Sequence, residues 1–272
     1  MLVCLSYSMY RSDFENIVKY AAAVEAFHNF TLMHDDIMDK APLRRGKPTV
    51  HEKYSSSTAI LSGDVMLVKV YDMFLSLPDN KLREVVRSFN KTAAEVCEGQ
   101  QMDMDFEMKP KVSESQYLEM IRLKTAVLLG FSLELGAILA DAPEEDRKAL
   151  YDFGVNVGVG FQLMDDLLDV YADQKKFGKT VGGDIVSNKK TYLLIKALES
   201  KKPELQRWLS ATKFDKKKKV AAVTKIYDSL NIKEKTQKKA DEYFEKGYNG
   251  LNAINNKEGL IKFAKSLAAR QK

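Results

Sequence analysis

Six aspartates fall into two copies of one pattern, D-D-x-x-D: Asp35, Asp36 and Asp39 in H-D-D-I-M-D, and Asp165, Asp166 and Asp169 in Q-L-M-D-D-L-L-D. Both copies lie in apolar, helix-like surroundings without an internal proline or glycine. Residues four apart share a helix face, so Asp35 projects with Asp39 and Asp165 with Asp169, with Asp36 and Asp166 close beside them. Three carboxylates on an apolar helix are costly to bury without a cation. Hard divalent ions with oxygen ligands relieve that cost, and Mg²⁺ keeps waters and takes substrate phosphates into its shell. The pair therefore points to a Mg²⁺–diphosphate site.

A lone D-D-x-x-D is most often a solvated acidic face. Two copies in apolar contexts, each followed by cations, are harder to read that way. After the first comes A-P-L-R-R-G-K-P, with Arg44, Arg45 and Lys47 just past a helix end near Pro42. Arginine forks match phosphate oxygens in pairs. After the second comes F-G-K-T-V-G-G-D, with Lys179 in it and Lys189 beyond. A metal-bridged diphosphate needs that arrangement, with ions on one side and fixed positive side chains on the other.

The elements that must hold these residues are helical. Apolar spacing predicts helices near 13–39, 53–76, 80–107, 114–140, 144–171 and 188–200, with shorter amphipathic ones to the C-terminus. No convincing period-two strand appears. Breaks at Pro42–Pro48, Pro78–Asn80, Pro110, Pro143 and Gly178–Gly183 are short, so neighbouring helices should pack antiparallel. No internal repeat or long linker divides the chain, which predicts one domain over residues 1–272.

Composition narrows the class. The two cysteines, Cys4 and Cys97, cannot form a disulfide framework, so a cytoplasmic setting is the expectation. Thr125 to Ala140 is too short to span a bilayer and is interrupted by Glu134, so no membrane span is expected. The net charge of +5 owes much to late runs such as Lys216 to Lys219. These read as a solvated helix face, not as a nucleic-acid surface, because aromatics do not interleave with them.

Several other motifs fail on inspection. Gly178-Lys179-Thr180 lacks the first glycine of a P-loop, since position 173 is aspartate. Gly158-Val159-Gly160 lacks a third glycine and reads as tight helix packing. Glu25-x-x-His28 resembles half of a di-iron element, but neither His34 nor His51 supplies the second copy.

Taken together, these residues resemble the trans-isoprenyl diphosphate synthases, the polyprenyl synthetase family, over essentially the whole chain. The resemblance implies an all-α, single-domain helical bundle around a deep central cavity, usually as a homodimer. It implies head-to-tail condensation of isopentenyl diphosphate with an allylic prenyl diphosphate. It further implies about three Mg²⁺ ions per active site, held by Asp35, Asp36, Asp39, Asp165, Asp166 and Asp169. Arg44, Lys124, Lys179 and Lys189 resemble the clamp on the allylic diphosphate. Thr125, Gln162 and the Lys124 carbonyl resemble the dipoles that stabilise an allylic cation, which needs negative dipole ends and no nucleophile. His28 and Arg45 resemble the isopentenyl diphosphate contacts; His28 lies two turns above Asp35, about 10 Å along the helix. Without the family, His28 would read as a core histidine. Gln100 and Asp103, in G-Q-Q-M-D, resemble support for the metal ligands.

The family's G-K-x-x-R-P segment, whose basic residues hold isopentenyl diphosphate, has no counterpart here. The chain opens at Met1-Leu2-Val3-Cys4, the stretch that would follow its proline. The expectation is a misassigned or shortened start, and a weakened catalyst in this form.

Product length in the family depends on the residue five positions before the first motif, here Phe30, with Thr31 and Phe27 beside it. An aromatic there, with no insertion in the motif, implies a C20 product, geranylgeranyl diphosphate, with C15 next. The alternatives are a non-catalytic partner subunit that binds prenyl diphosphates, and a class I terpene synthase. The second D-D-x-x-D argues against the terpene synthase, and the intact motifs argue against the partner subunit.

Overall fold

A computed structural model describes residues 1–15, 17–172 and 181–268. The described residues are overwhelmingly helical, as the periodicity predicts, and fall into two compact units.

The first unit comprises residues 1–93 and 131–151. It contains α1 (Leu2–Ser8), α2 (Ile17–Met38), α3 (Val50–Lys53) and α4 (Ser56–Phe74). It also takes the first half of α5 (Asp79–Met108), most of α7 (Val127–Leu139) and the start of α8 (Glu144–Tyr171). Its core is built around Phe89, whose ring meets Phe27 at 5.0 Å, Phe74 at 5.2 Å, Tyr71 at 5.4 Å and Phe131 at 5.8 Å. The edge-on and tilted geometries suit the ring quadrupoles and add to the burial of four large side chains.

The second unit comprises residues 94–130 and 152–268 of the described chain. It contains the rest of α5, α7 and α8, with α6 (Glu114–Ile121). After these come α9 (Gly183–Ser187), α10 (Tyr192–Leu198), α11 (Pro203–Ser210), α12 (Lys216–Ser229), α13 (Ile232–Gly250) and α14 (Glu258–Ala268). Its core includes Leu163, Leu193, Leu205, Val223, Ile232, Ala240 and Leu260. Ser113 opens α6 with a reciprocal capping box to Gln116.

Four details depart from the sequence expectations. The helix predicted over 13–39 begins at Ile17. A two-residue antiparallel ladder pairs β1 (Leu43–Arg44) with β2 (Lys47–Pro48), where no strand was expected. The helix predicted over 114–140 is interrupted by a π-turn at Arg122–Ala126. Lys219, expected on a solvated face, is 0% exposed. The tight packing predicted for Gly158 is present: a Cβ there would lie 2.7 Å from the Ala126 Cα.

Candidate active site

In the first unit, α2 ends in a Schellman arrangement just after the first aspartate motif. The Ala41 amide donates to the Asp36 carbonyl at 2.9 Å and the Lys40 amide to the Ile37 carbonyl, with Lys40 left-handed at φ 50°. The chain then turns back through β1 and β2. Arg45 and Gly46 form the connection with φ of 52° and 75°, the pattern of a type I′ hairpin. Thr49 ties the hairpin base to the turn that follows α2 by donating its hydroxyl to the Ala41 carbonyl at 2.7 Å.

This short hairpin carries Arg44 back onto the motif. Arg44 Nε lies 2.8 and 2.9 Å from the two carboxylate oxygens of Asp36, and its terminal nitrogen is 3.5 Å from Asp35. Asp36 is buried and Arg44 half-buried. The bond to Asp36 outweighs burial and raises the Arg44 pKa further. His28 is half-buried on the same helix, and burial lowers its pKa. Glu25 works against that shift, and the charges of Arg45 and Arg44 work with it, which places His28 within their field. Asp39 is exposed at the helix end.

Around the chain-length positions the packing is divided. Phe27 is 1% exposed and belongs to the Phe89 cluster. Phe30 instead stacks edge-on to His34 at 4.7 Å, and Thr31 donates its hydroxyl to the His28 carbonyl.

In the second unit, the π-turn Arg122–Ala126 places Lys124 and Thr125. Such turns recur at functional sites because they displace one residue from the helical register. Gly99 of α5 makes room for it: a Cβ there would sit 2.2 Å from the Lys124 backbone nitrogen. Lys124 Nζ lies 2.7 Å from Asp103 Oδ2, and Lys189 Nζ is 3.7 Å from the same oxygen. Burial alone would raise the Asp103 carboxyl, but Lys189 and Lys124 outweigh it and hold it below the usual carboxylate range. Thr125 donates to the Gln162 side-chain oxygen at 3.3 Å, and the Gln162 amide reaches Asp166 at 3.5 Å. Gln100 Nε2 is buried and has no hydrogen-bond partner among the described residues.

Two residues that the sequence reading missed belong to this unit's acidic cluster. Tyr117 donates its hydroxyl to Asp166 Oδ2. Asp184, fifteen residues beyond Asp169, donates its amide to Asp169 Oδ2 at 3.0 Å. Burial, then the charge of Asp184, pushes the Asp166 carboxyl up to about 8. Burial, then the charge of Asp169, pushes Asp184 up to about 6. Asp184 follows the glycines of T-V-G-G-D, a visible acidic position; Tyr117 had no comparable signal. Lys179 lies outside the described residues.

The donor set suits a hard divalent cation. It is made of carboxylates, and those buried among like charges are held partly protonated for want of positive charge. Among the described residues no three carboxylate, imidazole or thiol side chains converge as ready metal ligands. An ion there would draw part of its shell from water or phosphate, which is the habit of Mg²⁺.

The sequence profile of the polyprenyl synthetase family matches residues 1–230. The "Short chain isoprenyl diphosphate synthase" of Methanocaldococcus jannaschii is 47% identical over 200 residues, 73% of this chain and 61% of that protein. The chain thus spans about three-fifths of that relative's length. The "Geranylgeranyl diphosphate synthase" of Sulfolobus acidocaldarius is 35% identical over 96% of this chain and 81% of that protein. A crystal structure of a geranylgeranyl pyrophosphate synthase superposes with a TM-score of 0.95 at 41% identity, covering all of this chain and 86% of that one. The chain shares the all-helical fold of that structure. The chain belongs to the polyprenyl synthetase family. Among the described residues no helix is long and apolar enough to cross a membrane.

Proposed function

We propose that this protein is a trans-prenyltransferase that condenses isopentenyl diphosphate with an allylic diphosphate, head to tail, to a C20 product, with C15 next. The observation that carries this is the convergence of Lys124 and Lys189 on Asp103, in the unit that holds the crowded carboxylates of the second aspartate motif. Cations and carboxylates gathered in this way suit a diphosphate bridged by metal. The relatives named as geranylgeranyl and short-chain synthases support the same reaction.

In this reading Asp35, Asp36, Asp39, Asp165, Asp166 and Asp169 hold Mg²⁺, with three ions per site following from the family resemblance. Bound Mg²⁺ supplies the charge that lets diphosphate leave. Arg44, Lys124 and Lys189 bind the allylic diphosphate, and Lys179 joins them by its motif. Thr125 and Gln162 present oxygen dipoles to the cationic carbon. His28 and Arg45 hold isopentenyl diphosphate. The allylic C–O bond breaks with its electron pair leaving on diphosphate. The double bond of isopentenyl diphosphate supplies the pair for the new C–C bond, and proton loss restores an allylic diphosphate.

A homodimer is part of the proposal. On α4, Leu61, Val65 and Val68 are 65, 57 and 58% exposed, an apolar stripe unusual for a face left in water. In the same unit a cleft of about 760 Å³ is lined by Tyr71, Leu75, Leu82 and Val86 together with Asp79, Arg83, Arg87 and Asn90. Light scattering with Val65→Glu would test the assignment, a monomeric variant being the expected result.

The test of function is incubation with Mg²⁺, isopentenyl diphosphate and C5, C10 or C15 allylic diphosphates, with products dephosphorylated and weighed. A C20 or C15 alcohol is expected. Folded protein that forms no product from any primer would overturn the assignment.

A further inference from the structure

Lys219 stands in the run K-K-K-K-V, yet it alone of those four lysines is fully buried. No carboxylate bonds to it among the described residues. Its ammonium donates to Asn188 Oδ1 at 2.7 Å and to the Val186 carbonyl at 3.2 Å, and lies 4.2 Å from the centre of the Phe214 ring. Three donors thus meet two oxygens and a π face, which accounts for the whole group. Burying a lysine without a counter-ion is costly, so these contacts must hold it firmly.

What they hold is the corner before Lys189. Asn188 closes α9 in the left-handed region, with φ 57°. Its side-chain Nδ2 donates to the Leu209 carbonyl at 3.1 Å, and the Lys189 backbone amide donates to the Asp184 carbonyl at 2.9 Å. From this corner Lys189 reaches Asp103. The next residue of α12 supports the other end of the same segment: Val220 packs so closely on Gly182 that a Cβ there would lie 2.7 Å from it. Gly182 in turn donates its amide to the Asp169 carbonyl at 2.6 Å. Lys219 and Val220 therefore brace one segment, residues 182–189, that joins the second aspartate motif to the clamp lysine.

We propose that Lys219 is a positioning residue for the diphosphate clamp: through Asn188 it fixes the corner from which Lys189 acts. This rests on the assignment of Lys189 to the allylic diphosphate. Lys219 touches no substrate in this role.

The test compares the full chain with Lys219→Met, which keeps length and removes the donors, and with Lys217→Met, an exposed neighbour, as control. Amide exchange over 185–190 should quicken about tenfold or more in Lys219→Met, the size expected for losing a charged hydrogen bond, and stay unchanged in the control. The KM for the allylic diphosphate should rise about tenfold, while kcat and the KM for isopentenyl diphosphate stay within about twofold. Combined with Lys189→Ala, the substitution should add little to the allylic KM, because both act at one contact.

Unchanged exchange over 185–190 would overturn the proposal, and so would equal losses for both substrates or full additivity with Lys189→Ala. If Lys219→Met does not fold, Asn188→Gly removes the acceptor while keeping the left-handed corner, and the same shifts are expected. If the unaltered chain makes no product, the prenyltransferase assignment fails, and exchange over 185–190 still decides whether Lys219 holds the corner.

Discussion

Arg44 lays its guanidinium along the carboxylate of Asp36, with Nε 2.8 and 2.9 Å from the two oxygens. Asp36 is 5% exposed, so this is the main compensation for a buried charge on α2. The hairpin that delivers Arg44 runs only from Leu43 to Pro48 and is anchored at Thr49. Lysine cannot reproduce a planar fork. Arg44→Lys should therefore raise the allylic diphosphate KM by about tenfold. It should also lower thermal stability in the absence of Mg²⁺, and steady-state kinetics with melting curves would check both.

Gly99 faces the backbone of the π-turn, and a Cβ would lie 2.2 Å from Lys124 N and 2.7 Å from its Cα. Backbone cannot move aside as a flexible side chain can. Gly99→Ala should destabilise the protein by about 1–3 kcal/mol, the usual cost of overpacking. It should also displace Lys124 from Asp103, with kcat/KM falling by about 100-fold, since small misplacements at a clamp have large effects. Urea unfolding and kinetics on the same preparation separate the two losses.

The acidic cluster makes a pH prediction with a definite sign. Burial and neighbouring charge raise Asp166 to about 8 and Asp184 to about 6. The folded state thus holds protons that the unfolded chain releases near its ordinary carboxylate pKa of about 4. Between those values the unfolded state binds fewer protons, so stability falls as pH rises. This contribution is complete below about pH 4 and is lost by about pH 8. The metal-free protein should melt lower at pH 8 than at pH 6. Mg²⁺ with diphosphate should raise the melting temperature more at pH 8, where the carboxylates are ionised. An equal shift at both values would count against the cluster as a cation site.

The helical architecture was legible because its apolar spacing is regular over long segments, and the two aspartate motifs because carboxylates in apolar helices demand explanation. Other features depend on tertiary contact. R-L-K-T-A is good helix-forming sequence, and nothing in it marks a π-turn; the signal lies in Gly99, on another helix. Lys219 is indistinguishable by type from Lys216, Lys217 and Lys218, and only the packing of α12 selects it for burial. The hairpin at Leu43–Pro48 has two-residue strands, too short for any period, and Arg45 occupies a left-handed position more often filled by asparagine or glycine. Tyr117 carries no mark of its bond to Asp166. Asp184 could have been weighed, since T-V-G-G-D places an acid beside a glycine turn, but its meeting with Asp169 requires the fold.

Phe27 and Phe30 are three residues apart on α2 and should separate product length from stability. Phe27 is buried against Phe89, with centroids 5.0 Å apart, in the cluster that organises the first unit. Phe30 is only partly buried and rests on His34 and on Phe27 at 4.7 and 5.7 Å. Truncating Phe27 opens a cavity in a close-packed core, a cost of about 3–5 kcal/mol. Phe27→Ala should therefore lower the melting temperature strongly. Phe30 has fewer buried neighbours to lose. If it blocks the growing chain, Phe30→Ala should cost less stability and shift products beyond C20. Thr31 bonds its hydroxyl back to the His28 carbonyl, so Thr31→Ala should change product length less than Phe30→Ala. Mass spectrometry of the dephosphorylated products, with melting curves for all three variants, tests the division. Longer products from Phe27→Ala alone would move the floor from the partly buried Phe30 ring to the core.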